Sequence, residues 1–223
     1  AGKIAEEVLA RNPDHPGALH YLIHAYDDPG YADRALVTAD KYALVAPDAG
    51  HALHMPTHTY LALGQWDKVV RSNITSWKAE YARKQRKNLD NNGLAYHAYH
   101  WLEYGRLQLG EKQQARAMVD SMKIFCTELP SPRARSHMIL LKSSYLVETG
   151  DYTSDVTAIT VDQRDLNISL RAKNYFVLGM AAFKNGNAGL LDTTIHQLAE
   201  ERSIEALKSS GTGIRMCGNI NRA

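Results

Sequence analysis

The sequence is poor in cysteine, in long apolar runs and in excess charge of either sign. Its 223 residues include two cysteines, Cys126 and Cys217, too few for a disulfide scaffold or a cysteine-based zinc module. No apolar run approaches the roughly 18 residues of a membrane span, and residues 1–12 lack the layout of a signal peptide. Lys+Arg 26 against Asp+Glu 24 gives a formal net charge of +2. We therefore expect no nucleic-acid partner and no membrane span.

Strand patterns and familiar catalytic motifs are also scarce. Alternation of apolar and polar residues is confined to a weak stretch at 156–161, whereas apolar residues elsewhere recur at spacings of three and four, as in Leu19, Ile23 and Tyr26. No glycine-rich phosphate loop and no nucleophile motif is present, so the sequence does not decide whether the chain is an enzyme. The spacing predicts an all-α fold. Glycines that end the periodic segments are expected to adopt the left-handed cap conformation: Gly30, Gly64, Gly110, Gly150 and Gly186.

The N-terminal segments repeat with an offset of 34 residues. Asn12-Pro13-Asp14 recurs as Ala46-Pro47-Asp48. The same offset relates further pairs: Leu19 and Leu53, His20 and His54, His24 and His58, Tyr26 and Tyr60, Gly30 and Gly64. Thirty-four residues is the period of the tetratricopeptide repeat (TPR), in which each unit is a pair of antiparallel helices.

The chain resembles a TPR protein. Its segments HPGALHYLIH (residues 15–24) and HALHMPTH (residues 51–58) are similar to a bacterial TPR family of unassigned activity. The resemblance implies a right-handed α-solenoid over residues 1–208, with about five helix pairs of which the first is incomplete. We expect residues 209–223 to form an irregular or frayed tail. Both ends look truncated, which leaves a cytoplasmic and an exported location equally open.

Histidine is the unusual residue, with ten in the chain. When the first helices of the units are aligned on their closing glycines, eight histidines fall into three columns across the repeats. The resemblance implies that these columns, with Asp27 and Tyr104, line the concave groove of the solenoid. The predicted groove residues are His20, His24, Asp27, His51, His54, His58, His97, His100, Tyr104 and His137.

Two functions are compatible with such a groove. The first is a binding scaffold that holds a peptide or small ligand, with the histidines as polar contacts or as a hydrogen-bonded ladder. The second is a metal-binding protein or metal-dependent enzyme, because histidines spaced by three or four on a helix can share one Zn, Cu, Ni or Fe ion. The highest-ranked metal set is His20, His24, His54 and His58.

Pro56 lies between His54 and His58, where it removes a helical hydrogen bond. Either the helix continues back past Pro56 with a kink, or it starts late, after Pro56, with Met55-Pro56 in its first turn. We favour the kink, since only then does His54 share the column of His20. Trp101 is expected to pack between helices, and Asn73-Ile74-Thr75 matches the glycosylation pattern.

Overall fold

The computed structural model describes the backbone of residues 1–220 and the side chains of residues 1–208. Within this part of the chain the fold is all-α, as the spacing predicts. The α-helices, in chain order, are α1 (Gly2–Arg11), α2 (Pro16–Ala25), α3 (Leu36–Val45), α4 (Gly50–His54), α5 (Pro56–Ala62), α6 (Trp66–Lys87), α7 (Tyr96–Gln108), α8 (Lys112–Glu128), α9 (Pro132–Thr149), α10 (Ile168–Lys184) and α11 (Ala188–Ile220). Short 3-10 helices are Ala32–Ala35, Asn91–Gly93 and Asp155–Ala158. The weak alternating stretch at 156–161 therefore begins in a 3-10 turn and forms no strand.

Helices that are neighbours in sequence are also neighbours in space. Each of α1, α2 and α6–α10 contacts the helix that follows it, and both α4 and α5 pack on α6. Some contacts skip one helix in chain order, such as those between α3 and α5 and between α7 and α9. None of these helices is long and apolar enough to cross a membrane, over the residues that are described.

Four of the five predicted glycine caps are confirmed. Gly64, Gly110, Gly150 and Gly186 have φ between +66° and +76°, the left-handed region. The prediction for Gly30 is wrong. Helix α2 ends at Ala25, well before this glycine, whose N–H donates to Asp28 Oδ1 in a turn at 2.8 Å.

Helix α5 starts at Pro56, and the short helix α4 precedes it, so helical backbone is present on both sides of the proline. Helices α4 and α5 are separated by Met55 alone, and Met55 itself has right-handed helical angles. Because proline has no N–H, the hydrogen-bond ladder is interrupted here, and the Thr57 hydroxyl instead donates to the His54 carbonyl at 2.7 Å. The interruption places His54 at the end of one helix and His58 in the first turn of the next.

The apolar interior consists of two clusters that meet at α6. Val69 belongs to the N-terminal cluster, with Leu19, Ile23 and Met55, and Val70 belongs to the larger C-terminal cluster. Helix α6 therefore contributes side chains to both clusters, and its contacts with α4 and α7 lie where the two clusters meet.

The C-terminal helix α11 has a helical backbone as far as Ile220. It therefore includes the first part of the segment, residues 209–223, for which a tail is expected from the sequence. Residues 221–223 of the predicted tail lie outside the described part of the chain.

Candidate metal centre

Three histidines from three helices bring their ring nitrogens together. His54 on α4, His58 on α5 and His97 on α7 each offer one nitrogen, and the three nitrogens lie within 4.8 Å of one another. The ring centroids of His54 and His97 are 4.7 Å apart, and those of His54 and His58 are 5.4 Å apart. A tetrahedral zinc site needs nitrogens roughly 3.3 Å apart. Small side-chain rotations would therefore close these three imidazoles around one ion.

His54 is buried, and its hydrogen bond with Asn73 determines which of its ring nitrogens carries the proton. The side chain of Asn73 donates from Nδ2 to the Val69 carbonyl at 3.0 Å, so its Oδ1 faces Nδ1 of His54 at 2.7 Å. The proton must then reside on Nδ1 of His54 and the lone pair on Nε2. This Nε2 is buried and has no hydrogen-bond partner among the described residues. A buried, unpaired imidazole lone pair is the arrangement that a metal ion would satisfy.

His58 has the same kind of support from a carboxylate. Its Nδ1 lies 2.7 Å from Oδ2 of Asp27, which orients the ring and leaves Nε2 for an ion. Asp27 also belongs to a second group of ligand atoms, with His24 and His58, which is more exposed than the first. His58 is the member that the two groups share.

Trp101 packs against all three histidines of the first group. Its ring centroid is 4.6 Å from that of His58, 5.2 Å from that of His54 and 5.5 Å from that of His97. The indole covers one side of the cluster with apolar surface, which lowers the local dielectric and strengthens electrostatic interactions there.

Desolvation favours the neutral form of two of these imidazoles, those of His54 and His97. Desolvation lowers the pKa of His54 to about 3, although the hydrogen bond that His54 donates to Asn73 opposes this shift. The pKa of His97 is also lowered, by desolvation and then by the neighbouring imidazoles, although its ring is partly open to solvent. Neutral imidazole is the form that binds metal, so protons do not compete with an ion at neutral pH.

The sequence-predicted set of four histidines is divided in the structure. His54 and His58 lie in the first ligand group, His24 in the second and His20 in neither. Nε2 of His20 instead lies 3.1 Å from Nε2 of His51. Desolvation and the neighbouring histidines lower the pKa of both, which makes one of this pair a donor and the other an acceptor.

The remaining predicted groove residues make contacts of their own. Nε2 of His100 lies 3.0 Å from the Ser144 hydroxyl, and desolvation lowers the pKa of His100 to about 3. His137 donates from Nδ1 to the Arg133 carbonyl at 2.8 Å. Tyr104 packs edge-on against Trp66, with ring centroids 5.9 Å apart. These three belong to none of the ligand groups among the described residues.

Sequence reasoning missed two residues of the centre. Trp101 is expected to pack between helices, whereas it contacts the histidine cluster, and its position four residues after His97 was the available signal. Asn73 matches a glycosylation pattern, but its side chain is fully buried and bonded at both ends. A sugar could not be attached there in the folded chain. Nothing in the sequence of α6 alone pairs Asn73 with a histidine 19 residues earlier.

Comparison of the chain with models of known protein families, and with proteins of curated function, finds no match.

Proposed function

We propose that the chain is a TPR-like helical repeat protein that binds a transition-metal ion through His54, His58 and His97. The observation that carries the proposal is the orphaned Nε2 of His54, buried beside two other imidazoles and fixed in its metal-binding tautomer by Asn73. In a metal site, Nε2 of His54 and the two other imidazoles would bind the ion, and Asn73 would hold the His54 ring in place. As a feature of packing alone, the arrangement leaves a buried acceptor unpaired, which is costly.

Three imidazoles define the class of ion and of site. Imidazole suits Zn, Cu, Ni and non-haem Fe, and disfavours Mg and Ca, which prefer oxygen. Structural zinc sites use four protein ligands, whereas three protein ligands leave a position for water or another molecule. The proposed site is therefore open, and it could exchange a ligand at the fourth position.

The solenoid is part of the same proposal. The 34-residue offset relates His20 to His54 and His24 to His58, and helices that follow one another in sequence pack together. A right-handed stack of helix pairs would align these histidines along one concave face. That face would collect the imidazoles from α4, α5 and α7 on a single surface.

Metal titration of the untagged protein tests the proposal. The protein is freed of metal with a chelator, and Zn²⁺ or Co²⁺ is titrated by calorimetry. We expect one ion per chain in the wild type, and a large loss of affinity in His54→Ala, His58→Ala and His97→Ala. Co²⁺ bound by three imidazoles and water would also give visible d–d absorption.

Two control variants separate this site from nonspecific binding by histidine. His196→Ala removes an exposed histidine on α11 and should not change binding. His20→Ala removes a member of the sequence-predicted set that lies outside the ligand groups, and it too should leave affinity unchanged. If the folded wild type binds no metal, the proposal fails and the alternative gains: a scaffold whose histidines contact a peptide or small ligand directly.

A further inference from the structure

A cavity of about 250 Å³ adjoins the candidate metal centre. His54 and His97 form part of its wall, so the cavity and the proposed ion share two side chains. Its lining also includes charged residues of α6 and α9: Glu80, Arg83 and Arg133. The cavity therefore places two guanidinium groups and one carboxylate beside the imidazole cluster.

Arg133 holds its positive charge in a fixed position without a carboxylate partner. Its guanidinium donates to the carbonyl of Leu94 at 2.9 Å and to that of Asn92, and it lies over the Tyr96 ring at 5.5 Å. No ion pair of Arg133 occurs among the described residues. Its charge is thus available to a ligand in the cavity.

Arg83 is only weakly neutralised. Its one ion pair among the described residues, with Glu80, is long, at 3.4 Å. Glu80 is held close to α4 because Gly50 has no side chain there, and a Cβ at Gly50 would overlap the Glu80 carboxyl. Apart from the imidazoles, the charged side chains of the cavity wall carry two positive charges and one negative charge.

We infer that this cavity binds a small oxyanion, a carboxylate or phosphate group, through Arg83 and Arg133. One oxygen of the anion would take the open position on the ion at His54, His58 and His97. The metal's share of the affinity rests on the proposed function, whereas the arginine site does not. The volume lies just below the range of pockets that hold drug-sized molecules, so the ligand is small rather than a peptide.

Calorimetry at low ionic strength tests this with succinate, inorganic phosphate and uncharged succinamide. Each probe is titrated into metal-free protein and into protein loaded with one equivalent of Zn²⁺. We expect succinate or phosphate to bind, succinamide not to bind, and Zn²⁺ to strengthen binding of the anion. Whichever anion binds more tightly identifies the chemical class of the natural ligand.

Two substitutions with opposite expected effects exclude a merely structural explanation. Arg83→Gln should weaken anion binding by about tenfold, since a charge-assisted hydrogen bond is lost. Glu80→Gln should strengthen it by a few fold, because the competing carboxylate is removed. Arg164→Gln, at an arginine that is 89% exposed and outside the cavity, is the control and should have no effect. Arg133→Gln also removes two bonds to backbone carbonyls, so Arg83→Gln is the decisive variant.

The outcomes separate the two proposals. Equal binding of succinamide and succinate, no binding of either anion, or unchanged affinity in Arg83→Gln would overturn the anion site. Equal anion affinity with and without bound Zn²⁺ would overturn the metal's part in it. A protein that binds the anions with the expected arginine dependence but binds no Zn²⁺ would support the anion site and overturn the proposed function.

Discussion

Asn73 should control metal affinity although it cannot itself touch the ion. Asn73→Ala removes the acceptor for Nδ1 of His54, which lies 2.7 Å from Oδ1 in the native chain. The Thr57 hydroxyl oxygen, 3.3 Å from the same nitrogen, is then the remaining acceptor. The ring is freer to change tautomer and to rotate, and losing the shorter hydrogen bond of a buried N–H costs about 1–3 kcal/mol. That range corresponds to a loss of about 5–150-fold in metal affinity, which spans the loss of about 10–100-fold that is typical when a residue behind a ligating histidine is removed.

Asn73→Asp should separate metal affinity from stability. A carboxylate still accepts from Nδ1 of His54 and increases the basicity of Nε2, so Zn²⁺ should bind at least as tightly as in the wild type. Without metal, the variant buries a negative charge and loses the hydrogen bond to the Val69 carbonyl. The metal-free form should therefore be less stable than the wild type.

Zn²⁺ affinity is measured by competition with a chromophoric chelator, and stability of the metal-free protein by urea denaturation. The matched control is Ser72→Ala, which removes a 2.8 Å hydrogen bond from the neighbouring residue of α6 to the Leu53 carbonyl without touching His54. Its metal affinity should equal that of the wild type. If Asn73→Ala binds Zn²⁺ as tightly as the wild type, or Asn73→Asp as weakly as Asn73→Ala, the argument from His54 is refuted.

Three further predictions concern buried groups outside the centre. Desolvation lowers the pKa of Lys142 from 10.5 to about 8, so unfolding takes up a proton between these values and stability rises with pH across this window. Lys142→Met should raise the free energy of unfolding near neutral pH by about 1–2 kcal/mol, a net figure that includes the loss of the lysine's hydrogen bond to the Ile159 carbonyl. A gain in stability that persists unchanged above pH 10.5 would contradict this. Glu103 is buried without a partner among the described residues and its pKa is raised well above 4.5, so stability is lost as pH rises through the folded pKa. Glu103→Leu should stabilise by about 1–3 kcal/mol near neutral pH and by less near pH 4, measured by urea denaturation. A Cβ at Gly105 would lie 3.1 Å from Val69 Cγ1. Gly105→Ala should therefore lower the thermal midpoint of unfolding, because an overpacking cost of about 1–3 kcal/mol exceeds a gain in helix propensity of about 1 kcal/mol. A raised midpoint would show that the helices can move apart to make room for the methyl group.

Local pattern was enough to predict that the chain is helical and where four of its helices end. Spacings of three and four identify the helical segments, and Gly64, Gly110, Gly150 and Gly186 end theirs as a residue without a Cβ can. Gly30 shows the limit of that inference. Asp28 offers the backbone a competing side-chain acceptor, so the chain turns without a left-handed residue.

The sequence predicted the histidine cluster only in part. The register of the repeats identifies the helix face on which each histidine lies, but it does not show which imidazole rings come into contact. Columns derived from the repeat include His54, His58 and His97, yet they rank His20 and His24 above His97 as ligands. The break at Pro56 separates His54 from His58, and α7 brings His97 against His54, with ring centroids 4.7 Å apart. Contacts between distant segments decide such pairings, as they do for Asn73 and His54.

Diffraction from crystals of Zn²⁺-loaded protein, recorded on both sides of the zinc absorption edge, tests the proposed metal site without relying on affinity. We predict one strong anomalous peak about 2.0–2.1 Å from a ring nitrogen of each of His54, His58 and His97, with Nδ1 of His54 still bonded to Asn73. A peak coordinated by His20 and His24, or no ordered peak in crystals of folded protein containing Zn²⁺, would contradict it.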